Sequence, residues 1–169
     1  MEKKIWHRCK CTGQEFTQEE WCKYCQEHAL GREEVLNYEG YIWNIHDMCL
    51  NPHIPVRVDL DGYYKFEVRI AKSRNGWSYG LDINCGTSGY GSGCAWDIDC
   101  KQSEKEAIHA SLSKAREFAI RSYEAYKKRK QTNEDGGLKS AYAVPKYEKL
   151  IAEIDRYLEY YDMRQLELF

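Results

Sequence analysis

The sequence predicts an α+β fold, a three- or four-stranded antiparallel meander packed on a long helix. A Cys-rich module of zinc type precedes the meander, and a C-terminal helix follows it. Three observations predict this. Successive segments between Tyr64 and Cys100 alternate apolar and polar residues, the period of a half-buried strand. The stretch after Ser103 changes to a helical period. Half of the eight cysteines fall at the start of the chain, where no sustained apolar period exists.

Thr17-Gln18-Glu19-Glu20 has the capping-box pattern, so a short helix is expected from about Gln18 to Leu30, with Gly31 as its stop. Residues 38–46 read as one short strand with Tyr41, Trp43 and Ile45 on one face. The segment Cys49–Pro55 holds Pro52 and Pro55 and reads as a connector. Tyr64, Phe66, Val68 and Ile70 then alternate with Lys65, Glu67 and Arg69. After the hairpin signal Asn75-Gly76, Trp77, Tyr79, Leu81, Ile83 and Cys85 continue the alternation. Gly86–Gly93 reads as a loop, and Cys94, Trp96, Ile98 and Cys100 as a third strand.

Ser103-Glu104-Lys105-Glu106 is a second capping box, and Ile108, Leu112, Ala115 and Ala119 mark the apolar stripe of a helix from Glu104 to about Lys130. Pro145 suits the first turn of a further helix ending near Met163. The expected organisation is a Cys-rich module at 1–33, sheet and long helix at 34–131, and a linker at 132–144. A helix at 145–163 and a tail at 164–169 complete it.

Composition narrows the functions. At 169 residues the chain is one domain, or one domain with small appendages, and its net charge of −2 supplies no global field for nucleic acid or membrane. No apolar run reaches membrane-spanning length and no targeting segment is visible, so a cytoplasmic chain without a membrane partner is expected. There, cysteines serve as metal ligands or free thiols. Cys9-x-Cys11 and Cys22-x2-Cys25 supply four thiolates for a structural, tetrahedral zinc ion, with His7 and His28 as alternates. Cys85, Cys94 and Cys100 read as buried thiols.

No complete catalytic constellation is present, and no small-molecule substrate is evident. The Gly-rich loop lacks the Gly-Lys-Ser/Thr ending of a phosphate-binding loop. A symmetric pairing about it would set Asp82 opposite Asp97, with Asp99 beside Gly80. Like charges facing each other are unfavourable, and a divalent cation would relieve them. That makes a metal-dependent nuclease the enzyme alternative, with Asp82, Asp97 and Asp99 as its catalytic candidates. Lys127, Lys128, Arg129 and Lys130 concentrate positive charge at a helix end and are the nucleic-acid candidates.

The final residues, Gln165-Leu166-Glu167-Leu168-Phe169, form the pattern Gln-Leu-x-Leu-Phe. This peptide resembles the motif by which many bacterial replication and repair proteins attach to the sliding clamp, the ring around duplex DNA. The resemblance implies that Leu166, Leu168 and Phe169 enter apolar subsites, that the Gln165 amide sets register, and that Glu167 faces solvent. The expected function is therefore a non-enzymatic accessory protein of bacterial, phage or mobile-element DNA metabolism. A structural or regulatory interaction domain, with the tail packed as core, is the remaining alternative.

Overall fold

The computed structural model describes residues 4–28, 33–131 and 137–163. The architecture is α+β, with three helices and antiparallel sheets. A small hairpin, β1 (His7–Arg8) and β2 (Glu15–Phe16), leads into α1 (Gln18–Glu27). A second hairpin pairs β3 (Leu36–Tyr38) with β4 (Tyr41–Trp43). The main sheet is a four-stranded meander of β5 (His53–Asp59), β6 (Tyr64–Ser73), β7 (Gly76–Cys85) and β8 (Ser88–Ser92), in that spatial order. Two long helices follow, α2 (Glu104–Gln131) and α3 (Gly137–Met163).

The strand period sorts the side chains onto two faces of the meander. Val56, Phe66, Val68, Ile70, Leu81 and Ile83 point to one face and pack with Ile108, Leu112, Leu150 and Ile154 of α2 and α3. Ala107, Ala115 and Ala119 on α2 are also buried; their small side chains leave room for close approach to the sheet. Full burial of each Leu or Ile contributes about 1.5–3 kcal/mol. Ala71 points to the opposite face, where it meets Trp43, Cys94 and Trp96 in a second cluster. The sheet is thus covered by helices on one side and partly by the small hairpins on the other.

The predicted strands at Tyr64–Ile70 and Trp77–Cys85 are present, in the register Phe66↔Ile83 and Val68↔Leu81. Four expectations change. Residues 38–46 are not one strand: Glu39 (φ 50°) and Gly40 (φ 87°) make the left-handed turn of a hairpin, and Asn44 begins a further turn. The end of the expected connector, residues 53–55, instead opens β5, an edge strand where Pro55 is tolerated, with a register irregularity between His53 and Val56.

The fourth strand is β8, inside the Gly-rich segment, and not residues 94–100. Asp97 (φ 53°) and Asp99 (φ 52°) break the extended path there, and Ile98 is exposed. Both helices following the sheet occur. However, α3 already begins at Gly137 and carries Pro145 inside it. Burial of Ala143 and Tyr147 on either side of the proline offsets its lost hydrogen bond.

Candidate metal centre

Helix α1 opens with its expected cap. Thr17 Oγ1 accepts from the Glu20 amide at 3.3 Å, and the Glu20 carboxylate accepts from the Thr17 amide at 2.8 Å. The helix ends at Glu27, earlier than the expected Leu30, which lies outside the described residues. Its apolar side, Trp21 and Tyr24, packs on Phe16, Cys9 and Ile45. This small core therefore draws Val35 and Ile45 from beyond residue 33 into contact with the first hairpin.

Between β1 and β2 the chain makes a tight loop. The Cys9 amide donates to the Gln14 carbonyl at 2.9 Å, and the Gly13 amide (φ 76°) donates back to the Cys9 carbonyl at 2.8 Å. The loop brings Cys9 Sγ and Cys11 Sγ to 3.0 Å. A third group arrives from a distant turn. Asn44 Oδ1 accepts from the His46 and Met48 amides at 3.0 and 2.9 Å, which bends residues 44–48. This places Asp47 in a left-handed conformation, φ 62°. Asp47 Oδ1 accepts from the Lys10 amide at 2.7 Å, the Cys11 amide at 3.0 Å and the Cys9 thiol at 3.4 Å.

Cys9, Cys11 and Asp47 thus form one cluster, their candidate ligand atoms within 4.8 Å of one another, that could hold a metal ion. Cys9 is fully buried, Asp47 is 7% exposed, and Cys11 is half-buried. Burial pushes the Cys11 thiol up, and hydrogen bonding and charge from Cys9, then Asp47, push it further. Two sulfurs and a carboxylate oxygen form a donor set suited to a borderline-soft divalent ion.

Cys22 and Cys25 do not join this cluster. They sit three residues apart on α1, and Cys22 is exposed. The face of α1 turned to the hairpin carries Trp21 and Tyr24 instead. The alternates have other partners. His7 stacks on Trp21 with centroids 3.7 Å apart, and its Nε2 lies 3.4 Å from the Ile45 carbonyl. His28 Nδ1 lies 3.2 Å from Glu33. Sequence reasoning missed Asp47, because a turn acid far from the cysteines has no ligand spacing. The available signal was the turn-forming pair Asn44 and Asp47.

The acidic set is not assembled as expected, because β8 replaces residues 94–100 beside β7. Asp82 is paired with Gly91 and Glu67, not with Asp97. Arg69 lies 3.4 Å from Asp82, Arg74 lies 3.1 Å from Asp97, and Lys114 lies 4.0 Å from Asp99. Asp97 also accepts from the Asn75 amide at 3.0 Å. Each of the three carboxylates thus lies beside a cation, with Arg69 shared between Asp82 and Glu67.

Lys127, Lys128 and Arg129 are exposed at the end of α2, with the Lys127 ammonium 4.4 Å from the Tyr123 ring centroid. The Lys130 side chain and Gln165, Leu166, Leu168 and Phe169 lie outside the described residues. Among the described residues no helix is long and apolar enough to cross a membrane. Comparison with protein-family models, with curated proteins and with solved structures finds no match to this chain.

Proposed function

We infer that this chain is a non-enzymatic accessory protein of bacterial, phage or mobile-element DNA metabolism, carried to DNA by binding the sliding clamp. The observation that carries this reading is the peptide Gln165-Leu166-Glu167-Leu168-Phe169, four of whose five positions fit the clamp-binding pattern. Burying Leu166, Leu168 and Phe169 in clamp subsites contributes roughly 1.5–3 kcal/mol each before the cost of ordering the peptide. A net charge of −2 makes a tether useful, since the chain as a whole does not attract DNA.

We assign zinc to the metal centre, in a structural role. Thiol donors favour zinc over the harder magnesium and calcium, and Cys9 and Cys11 supply two of them.

The test is a titration of a purified bacterial clamp with the full chain and with its Leu168→Ala/Phe169→Ala variant. Saturable binding by the full chain that disappears in the variant is expected. No binding, or equal binding by both forms, would overturn the reading.

A further inference from the structure

We propose that Cys9, Cys11 and Asp47 are together the protein ligands of the zinc ion, which clasps the first hairpin to the turn at residues 44–48. The proposal rests on the assignment of zinc above and gives it a ligand set that sequence spacing does not.

Three observations carry it. The two sulfurs lie 3.0 Å apart. That is well beyond the roughly 2.05 Å of a disulfide, so both remain available as ligands. Next, Asp47 is 7% exposed, yet among the described residues no Lys, Arg or His ion pair neutralises its carboxylate. Its amide donors share the charge without cancelling it. A buried carboxylate with no counter-charge is costly, and a dication between it and two thiols removes that cost. Lastly, Asp47 is held from behind. Asn44 fixes its turn, and its own carbonyl accepts from the Trp96 amide at 2.7 Å. The donor is therefore positioned by the protein before any ion arrives.

The ion replaces the two thiol protons, which pass to solvent, and takes the carboxylate as its third protein ligand. No electron changes hands. The clasp joins two parts that already meet through Ile45 in the small core. On one side is the loop between β1 and β2. On the other is a turn whose next residues, Met48 and Cys49, bridge to Ala95 and Cys94 above the main sheet.

The experiment loads the full chain with zinc, measures metal content, and repeats the loading with cobalt to read the sulfur-to-cobalt absorption band. The expected result is one ion per chain with a two-thiolate band. Cys9→Ser/Cys11→Ser should lose the ion, Cys22→Ser/Cys25→Ser should keep both ion and band, and Asp47→Asn should weaken zinc binding at least about tenfold. A four-thiolate band that falls by half in Cys22→Ser/Cys25→Ser would overturn the ligand set while leaving zinc in place. Unchanged affinity in Asp47→Asn would remove Asp47 from it. No metal in the wild-type chain would overturn the zinc assignment itself. Should Asp47→Asn fail to fold, the wild-type band still counts the thiolates.

Discussion

The Tyr147 hydroxyl donates to the Cys85 carbonyl at 2.9 Å, a buried bond that joins α3 to the last residue of β7. Three other tyrosines surround it: Tyr64 meets its ring edge-on at 5.2 Å, Tyr123 stacks at 5.2 Å, and Tyr126 lies at 5.6 Å. This cluster gives several of the chain's fourteen tyrosines a place where ring and hydroxyl are both used. Tyr147→Phe keeps the ring and leaves the Cys85 carbonyl without this donor. It should cost about 1 kcal/mol in urea unfolding, whereas Tyr147→Ala should cost about 3–5 kcal/mol by opening a cavity. Equal effects of the two changes would show that the hydrogen bond, not the ring, holds the helix.

Much of this core was legible in the sequence because it is periodic. Phe66, Val68, Leu81 and Ile83 announce their face by alternation, and Ile108 and Leu112 announce theirs by helical spacing. The fourth strand was not legible. Ser88-Gly89-Tyr90-Gly91-Ser92 offers almost no side chains to a pattern, and its strand character comes from backbone pairing with β7. The metal cluster was half legible. Cys9 and Cys11 stand out as a pair, but Asp47 joins them only through the turn that Asn44 builds.

Close pairing at the Gly-rich segment depends on a missing side chain in β7. A Cβ on Gly80 would lie 2.5 Å from the Ser92 carbonyl oxygen and 2.7 Å from the Gly93 carbonyl carbon. Both obstacles are backbone, so the chain itself must move. Ser111 Oγ also donates to the Gly80 carbonyl at 2.9 Å, which pins the same point to α2. Gly80→Ala should therefore destabilise the fold by about 1–3 kcal/mol. Gly91→Ala, where no atom stands within 4 Å, should have a smaller effect. Chemical denaturation midpoints of the two variants check the difference.

Burial pushes the thiols of both Cys85 and Cys94 from an ordinary 9.0 up to about 12. Between these values the unfolded chain has lost the thiol proton and the folded chain keeps it, so each group favours folding less as pH rises from about 9 towards 12. Urea midpoints should fall across that window, and Cys94→Ala should reduce the slope. At pH 8 the exposed Cys22 should react first with iodoacetamide. Cys85 and Cys94 should react only after unfolding, and mass spectrometry of the labelled peptides reads the order.

Metal removal should loosen one part of the molecule and spare the other. The core around Cys9, Phe16 and Ile45 shares none of its buried residues with the core between the main sheet and the two long helices. A clasp of Cys9, Cys11 and Asp47 therefore acts on the first core and on the second cluster, against which Cys11 also packs, rather than on the core under the long helices. Structural metal sites contribute their binding energy to the folding of the segment they close. A chelator should raise amide exchange at residues 6–16 and 44–48, and should shift the fluorescence of Trp21, which packs in the first core. Exchange at Phe66, Val68, Leu81 and Ile83 should stay slow, because their bonds lie within paired strands covered by α2 and α3. Exchange that rose equally in both regions would mean that the two cores unfold as one unit, with the metal stabilising the whole domain.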